Sequence, residues 1–277
     1  MGDWLREVDL GRRTVFQISA GQFHTCARLD DDTVKCWGSN GSGELGLVDN
    51  VQRLTPTDAA DIGLGRTAIQ IATGPFYTCA RLDNDTVKCW GNWSGAGNIY
   101  DLGPGRTAHE ITAGTSHACA RLNNDTVKCW GGNASGQLGL GNTISLSAPA
   151  SLPVELGAGR TAHEIAAGGR HTCARLDNGT VKCWGDNKCG QLGLEDVENR
   201  GDQPEEMGDR LPNVNLGPGR TAFENTAGLE HTCVRLDDGK VKCWGCNNIG
   251  QLGLGDTMNR GDQPNQMGDS LPAVQLQ

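Results

Sequence analysis

Short apolar segments alternate with turns rich in Gly, Asp and Asn along the whole chain, and one pattern of fifteen residues returns five times. Its first copy, HTCARLDDDTVKCWG, occupies residues 24–38. The later copies begin at Tyr77, His117, His171 and His231. Such self-similarity predicts an array of small structural units over residues 1–277 rather than one large core. We place the repeat cores at 18–47, 71–95, 111–141, 165–195 and 225–255.

Each copy of this pattern predicts a β-hairpin. Cys26 and Cys36 are ten positions apart, so a turn centred on Asp31 places them opposite each other on two antiparallel strands. That register leaves a three-residue loop, 30–32, whose third residue must adopt the left-handed conformation. Gly and Asp are among the residues that tolerate this conformation. The third loop position holds Asp32, Asp85, Asp125, Gly179 and Gly239 in the five copies.

The segments that follow each hairpin predict further short strands. A Gly-rich loop comes first, as in GSGELGL at 41–47, and it is missing from the second repeat. Strand candidates follow at 152–156 and 211–216, and an LGxGRTA turn leads into the next repeat. Each repeat therefore offers about four short strands and no convincing helix, which predicts an all-β fold.

Composition and charge narrow the class of partner. Aromatic residues make up only 5% of the chain and glycines number 41, which favours many small cores over a single large one. The formal charge is −9, with no basic run, so the chain lacks the positive surface that nucleic-acid binding requires. No apolar stretch approaches the roughly 18 residues of a membrane span. We therefore expect neither nucleic acid nor membrane insertion.

The cysteines indicate the compartment. Ten of the twelve form five pairs at the hairpin spacing: Cys26 with Cys36, Cys79 with Cys89, Cys119 with Cys129, Cys173 with Cys183, and Cys233 with Cys243. Opposed cysteines on antiparallel strands approach disulfide distance, and each bridge is worth about 2–3 kcal/mol on a chain-entropy estimate. Zinc is the rival interpretation, but structural zinc ligands usually come as two closely spaced C-x2–4-C knuckles. We therefore expect disulfides and an extracellular or cell-surface location.

Two cysteines fall outside the hairpins. Cys189 and Cys246 occupy equivalent loops of adjacent repeats, shortly after a Trp-Gly step. A bridge between neighbouring repeats and a pair of free thiols are both compatible with the sequence.

The whole repeat, IxAGxxHTCARLxxxxVKCWGxNxxGQLGLG, resembles the regulator-of-chromosome-condensation repeat. The match covers essentially the whole chain, and the Ala-Gly, His-Thr, Trp-Gly and Gly-Gln-Leu-Gly steps are its specific parts. This resemblance implies propeller-type blades of about four antiparallel strands, most often seven to a closed propeller. The paired cysteines point to a secreted, cysteine-bearing branch of that family.

The number of repeats raises the question of closure. Five repeats are not seven, and residues 5–10 and 271–276 occupy the same place in the repeat. The sequence therefore allows a closed or a partial β-propeller. We expect the array to continue in a longer chain or to pair head to tail with a neighbouring molecule.

Recurring side chains are interpreted first as structural. The hairpin histidines are His24, His117, His171 and His231, with Tyr77 in the second repeat, and a glycine stands three positions before each. The tryptophans after the second cysteine are Trp37, Trp90, Trp130, Trp184 and Trp244. The turn arginines are Arg66, Arg106, Arg160 and Arg220. Packing, hydrogen bonding and a buried salt bridge or carbonyl contact outweigh catalysis, sugar stacking and anion binding for these three sets. Trp93 is unique and is expected to be exposed.

Known catalytic motifs are absent from the sequence. It has no GxSxG, HExxH or P-loop pattern, so we expect no catalytic residue, no cofactor and no metal site. Two Arg-Gly-Asp tripeptides, at 200–202 and 260–262, belong to one repeated loop and are interpreted as loop structure.

Six N-x-S/T sequons make the chain a candidate glycoprotein. They lie at Asn40, Asn84, Asn92, Asn124, Asn133 and Asn178. Those at Asn84, Asn124 and Asn178 fall in the hairpin turns, where exposure is expected.

The leading functional hypothesis is a non-enzymatic extracellular binding or structural module. Its protein or glycan partner would bind the variable loops, because binding often resides on loops held by a rigid scaffold. These loops are 47–60, 92–100, 141–151, 195–210 and 255–270. Guanine-nucleotide exchange on a Ran-type GTPase is the alternative that the family resemblance implies, and protein-type inhibition of an enzyme is a third.

Overall fold

The computed structural model describes residues 6–92 and 99–275. Its strands are β1 (Val15–Ala20), β2 (His24–Leu29), β3 (Val34–Gly38), β4 (Ala68–Thr73), β5 (Tyr77–Leu82), β6 (Val87–Gly91), β7 (Ile99–Tyr100), β8 (Ala108–Ala113), β9 (His117–Leu122), β10 (Val127–Gly131), β11 (Ala162–Ala167), β12 (His171–Leu176), β13 (Val181–Gly185), β14 (Ala222–Ala227), β15 (His231–Leu236) and β16 (Val241–Gly245). Two single-turn 3₁₀ helices span Gly208–Arg210 and Gly268–Ser270. The all-β prediction is confirmed. Within the described ranges, no helix has the length and apolarity that a membrane crossing requires.

Each repeat forms its own antiparallel sheet. Four sheets have three strands that follow one another along the chain, and the sheet of the second repeat adds β7. The hairpin register is as predicted, because Cys26 pairs with Cys36 and the equivalent cysteines pair in the other four repeats. The third loop residue has the predicted positive φ, 59° at Asp32 and 77° at Gly179. Spacing and turn chemistry thus determine the central hairpin of every repeat.

The predicted fourth strand is shorter than expected. In the first and the last three repeats the glycine that ends the hairpin forms a bridge to a residue of the long loop, as between Gly185 and Arg200. Repeat 1 has a second bridge, between Lys35 and Ala59. The candidate at 152–156 contributes one ladder hydrogen bond, from Val154 N to Val127 O at 2.8 Å. Pro153, which has no N–H, directly precedes Val154 and donates no ladder bond of its own. Proline and a long loop therefore limit this edge of the sheet.

The chain divides into two compact units, Met1–Asp101 and Leu102–Gln277. The first unit holds repeats 1 and 2, and its core joins Cys26 and Leu45 of repeat 1 to Ile71 and Trp90 of repeat 2. The second unit holds repeats 3 to 5 and has two such cores, each shared by successive repeats. A single repeat cannot bury its own apolar face, so each of these three cores lies between two sheets.

Candidate functional site

Disulfides cross-link all five hairpins. The paired cysteines have Cα atoms 4.0–4.1 Å apart and lie ten residues apart in sequence. Most of these cysteines are completely buried, and Cys243 is only 5% exposed. The bridges of repeats 1, 3 and 4 are part of the cores between repeats.

One further disulfide joins two repeats of the second unit. Cys189 of repeat 4 is bonded to Cys246 of repeat 5, with Cα atoms 4.9 Å apart. The Glu230 carboxylate lies 3.4 Å from Cys246 Sγ. The structure therefore contains the bridge between repeats, and all twelve cysteines, each within the described ranges, are paired.

A recurring set of hydrogen bonds, here called the latch, joins one repeat to the next. Between repeats 1 and 2, His24 Nε2 lies 2.8 Å from Thr78 Oγ1. Thr78 Oγ1 donates to the backbone carbonyl of Glu44 at 2.9 Å, and Trp90 Nε1 donates to the same oxygen at 3.0 Å. Because the hydroxyl has one hydrogen, which goes to the carbonyl, the His24 ring is the donor to Thr78. The hydrogen on the ring is therefore on Nε2, and burial lowers the pKa of His24, which favours the neutral form.

The latch recurs at both repeat boundaries of the second unit. Its members there are His117, Thr172, Gln137 and Trp184 between repeats 3 and 4, and His171, Thr232, Gln191 and Trp244 between repeats 4 and 5. All of these distances are 2.9–3.0 Å. The structural interpretation of the hairpin histidines and tryptophans is thus confirmed at these boundaries.

Burial keeps the latch histidines uncharged. Loss of hydration lowers the pKa of His117 to about 4 and that of His171 to about 3, with the neighbouring histidines adding to the shift at His171. The preceding glycine is required by close packing, because a Cβ on Gly168 would lie 2.2 Å from the His171 ring. These rings act as neutral hydrogen-bond donors in an apolar core.

The loop that supplies the latch carbonyl is held by its own side chains. Gln191 Oε1 accepts from Cys189 N at 2.9 Å, and Asn187 Oδ1 accepts from Leu192 N at 2.9 Å. The same two bonds occur at Asn133 with Gln137 and, with Glu44 in the place of Gln, at Asn40. The Gly-Gln-Leu-Gly motif thus presents a fixed carbonyl to the next repeat.

This role of the loop asparagines bears on the predicted sequons. Asn40 and Asn133 are completely buried, and their Nδ2 atoms donate to the carbonyls of Asp49 and Asn142. A buried, hydrogen-bonded amide leaves no space for a glycan. Asn84, Asn92 and Asn178 are exposed, and Asn124 is half-buried. The sequon of Asn92 continues into residues outside the described ranges, as does the predicted exposure of Trp93.

The turn arginines form ion pairs that differ from the buried bridge expected. Arg160 Nη1 lies 3.0 Å from Asp177 Oδ2, but the two side chains are 37% and 40% exposed. Arg66 and Arg220 have the same partner position. Arg106 makes no such ion pair because its repeat has Asn123 there, whose Nδ2 donates to a turn carbonyl. The pairs fix the turn from its surface.

Both Arg-Gly-Asp tripeptides are held in loop structure. The Arg200 guanidinium is bound to Asp196 Oδ2 at 2.6 Å and to two backbone carbonyls, and Gly201 is buried. Arg260 is bound to Asp256 in the same way. This arginine is occupied and is not presented to a partner.

The variable loops carry several exposed apolar side chains. In the first unit Val48 and Leu54 are almost fully exposed. In the second unit, Leu152, Pro204 and Met207 help to line an apolar cleft of about 440 Å³ between the loops of repeats 3 and 4. Sequence reasoning missed this cleft because its walls come from two different loops.

The repeats of this chain match a known repeat family. The family described as "Regulator of chromosome condensation (RCC1) repeat" matches residues 17–44, 68–97, 108–137, 162–191 and 226–251. A second description of the same family matches 31–81 and 125–175. The chain belongs to the RCC1 repeat family.

The relatives that carry these repeats are proteins of very different kinds. The chain is 30% identical over 262 residues to the ultraviolet-B receptor UVR8 of Arabidopsis thaliana, covering 92% of the chain and 46% of the receptor. It is 29% identical over 254 residues to the human probable E3 ubiquitin-protein ligase HERC3, covering 90% of the chain and 19% of that protein. The chain thus spans less than half the length of these curated relatives.

Solved RCC1-type structures share the fold. Yeast RCC1 (Prp20) bound to Kap60 aligns with a TM-score of 0.70 at 21% identity, covering 86% of this chain and 57% of that one. The ectodomain of the receptor kinase CR4 from Physcomitrella patens aligns with a TM-score of 0.57 at 22% identity, covering 86% of this chain and 53% of that one. Together these likenesses confirm the propeller-type, RCC1-repeat fold.

Proposed function

We propose that this chain is a non-enzymatic, extracellular binding module built from disulfide-linked RCC1 repeats. The observation that carries the proposal is the disulfide in every hairpin, with a sixth between repeats 4 and 5. Such bridges persist in oxidising compartments and are rare in the cytosol. The fold is also found in a receptor-kinase ectodomain, so its extracellular use has a precedent.

Protein or glycan partners would bind the variable loops. The apolar cleft of the second unit offers Leu152 and Pro204 as contacts, with Glu205 at its rim. Concave, mostly apolar surfaces with a few polar groups are typical of binding sites. Glycans at Asn84 and Asn178 would lie on the hairpin turns.

The exposed faces at the ends of the array suit head-to-tail self-assembly. Ile18 of repeat 1 is 65% exposed, and Glu224 and Thr226 of repeat 5 are also exposed. Apolar side chains exposed at the end of a repeat array favour contact with a further repeat.

Non-reducing mass mapping of protein from its natural source, alkylated before purification, tests the compartment. We expect five hairpin bridges, the Cys189–Cys246 bridge, and glycan at Asn84 or Asn178. Free thiols at the hairpin cysteines would overturn the extracellular proposal.

Binding to panels of glycans and of secreted proteins tests the loops. Leu152→Glu should abolish binding through the cleft, while Leu64→Glu, at a fully exposed turn of the first unit, should leave it intact. Equal loss in both variants, or in neither, would exclude the cleft as the binding surface.

The two alternative functions stay predictions. Acceleration of GDP release from a Ran-type GTPase would support nucleotide exchange. Stoichiometric inhibition of an enzyme recovered as a partner would support the inhibitor hypothesis.

A further inference from the structure

The latch consists of two halves that come from different repeats. We call the histidine ring and the loop carbonyl of one repeat the socket, and the threonine and tryptophan of the following repeat the plug. At the boundary of repeats 4 and 5, Gln191 is 1% exposed, and Thr232 and Trp244 are completely buried. Each half therefore satisfies its polar groups only when the other covers it.

Repeat 1 has a plug that nothing covers in the described ranges. Thr25 and Trp37 are half-buried, and neither side chain makes a hydrogen bond. Ile18 on the same face is 65% exposed, whereas its equivalents Ile71 and Ile165 are 2% and 4% exposed. The outer face of repeat 1 thus has the chemistry of the covered faces without a covering repeat.

Repeat 5 has the complementary socket. The His231 ring is half-buried and has no hydrogen-bond partner in the described ranges. Gln251 Oε1 accepts from Ile249 N at 3.0 Å, as Gln191 does in its own loop, so the socket carbonyl is already in position. The place of the tryptophan is open, because a Cβ on Gly253 would have only Val274 within 4 Å.

Gly193, the equivalent glycine of repeat 4, shows what fills that place. A Cβ there would lie 2.7 Å from Nε1 of Trp244. The tryptophan of a plug therefore packs directly over this glycine.

Two further hydrogen bonds of the covered boundaries have an acceptor counterpart in repeat 5 and a donor counterpart in repeat 1. Glu164 Oε2 accepts from Asn225 N at 2.9 Å, and Thr112 Oγ1 accepts from Ala167 N at 3.0 Å. The corresponding acceptors of repeat 5 are the exposed Glu224 and Thr226. The corresponding donors of repeat 1 are the N–H groups of Ile18 and Ala20, on the free edge of β1.

We propose that the socket of repeat 5 binds the plug of repeat 1 of a second copy of this chain, head to tail. His231 Nε2 then donates to Thr25 Oγ1, and Thr25 and Trp37 donate to the Gln251 carbonyl. Glu224 and Thr226 accept from the free edge of β1. Every polar group at both faces finds the partner type that it has at the inner boundaries. Because the two faces differ, the contact is heterologous and generates rings or filaments.

This inference rests on the self-assembly included in the proposed function. It is tested with two capped variants, each of which carries one substitution that blocks either the plug or the socket. Ile18→Glu places a carboxylate opposite Glu224 and disables the plug, whereas Thr226→Arg blocks the socket. Both positions are exposed in the single chain, so the fold tolerates the changes. Val51→Glu, on an exposed loop of the first unit, is the matched control.

Sedimentation velocity over a range of concentrations gives the result. We expect wild type and Val51→Glu to form species larger than one chain as concentration rises, and each capped variant to associate at least tenfold more weakly. An equimolar mixture of the two capped variants should stop at a dimer, because one supplies the socket and the other the plug. Adding Glu224→Lys to the Ile18→Glu chain should restore association.

A wild-type protein that stays monomeric would overturn the proposal, as would association that both capped variants retain. Either outcome leaves the disulfide map and the binding of loop partners unaffected. Failure of the head-to-tail contact between chains is therefore distinguishable from failure of the proposed function.

Discussion

The boundary between repeats 4 and 5 and the outer face of repeat 5 carry equivalent side chains in different surroundings. His171 is completely buried and hydrogen-bonded to Thr232, whereas His231 is half-buried and has no partner in the described ranges. Burial lowers the pKa of both rings, but only that of His171 falls as far as about 3. The repeat sequence thus supplies the donor, and the neighbouring repeat determines its environment.

The effect of a covering repeat is tested most directly by truncating one tryptophan of a covered plug and one of the uncovered plug. Trp244→Ala should lower the unfolding free energy of the second unit by about 3–5 kcal/mol, because it leaves a large cavity in a core shared by two repeats. Trp37→Ala should cost the first unit less than half as much, since Trp37 is partly exposed. Urea denaturation followed by circular dichroism measures both losses, and equal losses would contradict the difference in burial.

Acid should weaken the covered boundaries of the second unit. The pKa values of His117 and His171 fall from about 6.5 in the unfolded chain to about 4 and about 3 in the fold. Below pH 6.5 the unfolded chain therefore binds protons that the folded unit does not, so stability falls as pH falls. The two rings together should cost about 2 kcal/mol between pH 6 and pH 5.

The matched control for this acid effect replaces both rings. A His117→Gln and His171→Gln double variant should be less stable at neutral pH but should lose less stability over the same interval. An unchanged slope in urea titrations at the two pH values would show that other groups carry the acid sensitivity.

Removing one hydroxyl tests the hydrogen bonds apart from the packing. Thr232→Val keeps the shape but leaves the His171 Nε2 hydrogen without an acceptor in a buried site, which should cost about 1.5 kcal/mol. Thr25→Val, at the uncovered plug, should leave the stability of a single chain within about 0.5 kcal/mol of wild type. Thermal unfolding at low concentration, where chains do not associate, is the suitable measurement.

Removing an exposed ion pair should have the smallest effect on stability. Arg160→Ala removes a pair with Asp177 and should cost at most about 0.5 kcal/mol, because solvent screens both charges. Arg106→Ala, where Asn123 replaces the acidic partner, should be neutral within error. A loss above 1 kcal/mol at Arg160 would mean that the turn carries more of the repeat than its exposure indicates.

The sequence was sufficient for the hairpin and insufficient for what joins the hairpins. Cys26, Cys36 and Asp32 are close in sequence, so spacing and turn chemistry define their geometry without tertiary information. The latch joins residues such as His171 and Thr232, 61 positions apart, and no local pattern reports that separation. The fourth strand was overestimated because β-type composition cannot reveal that Pro153 limits the segment 152–156 to one ladder hydrogen bond.

The sequons show the same limit. Asn133 and Asn178 satisfy the same three-residue rule. Asn133 is nevertheless buried within a loop, whereas Asn178 is exposed on a hairpin tip. The difference lies in Leu138, whose backbone N–H is bound by the Asn133 side chain. Only the folded loop brings those two groups together.

The bridge between Cys189 and Cys246 has a mechanical consequence. A chain pulled by its two ends transmits tension through this bond and bypasses the intervening segment, which includes the fifth hairpin. The sequence separation of 57 residues, less the ten that the Cys233–Cys243 bridge spans, corresponds to about 160 Å of extended chain that stays slack. In an extracellular setting under shear, this part of the array would stay folded or refold without load while the rest lengthens, and reducing that one bond would release the hidden length as a single additional step.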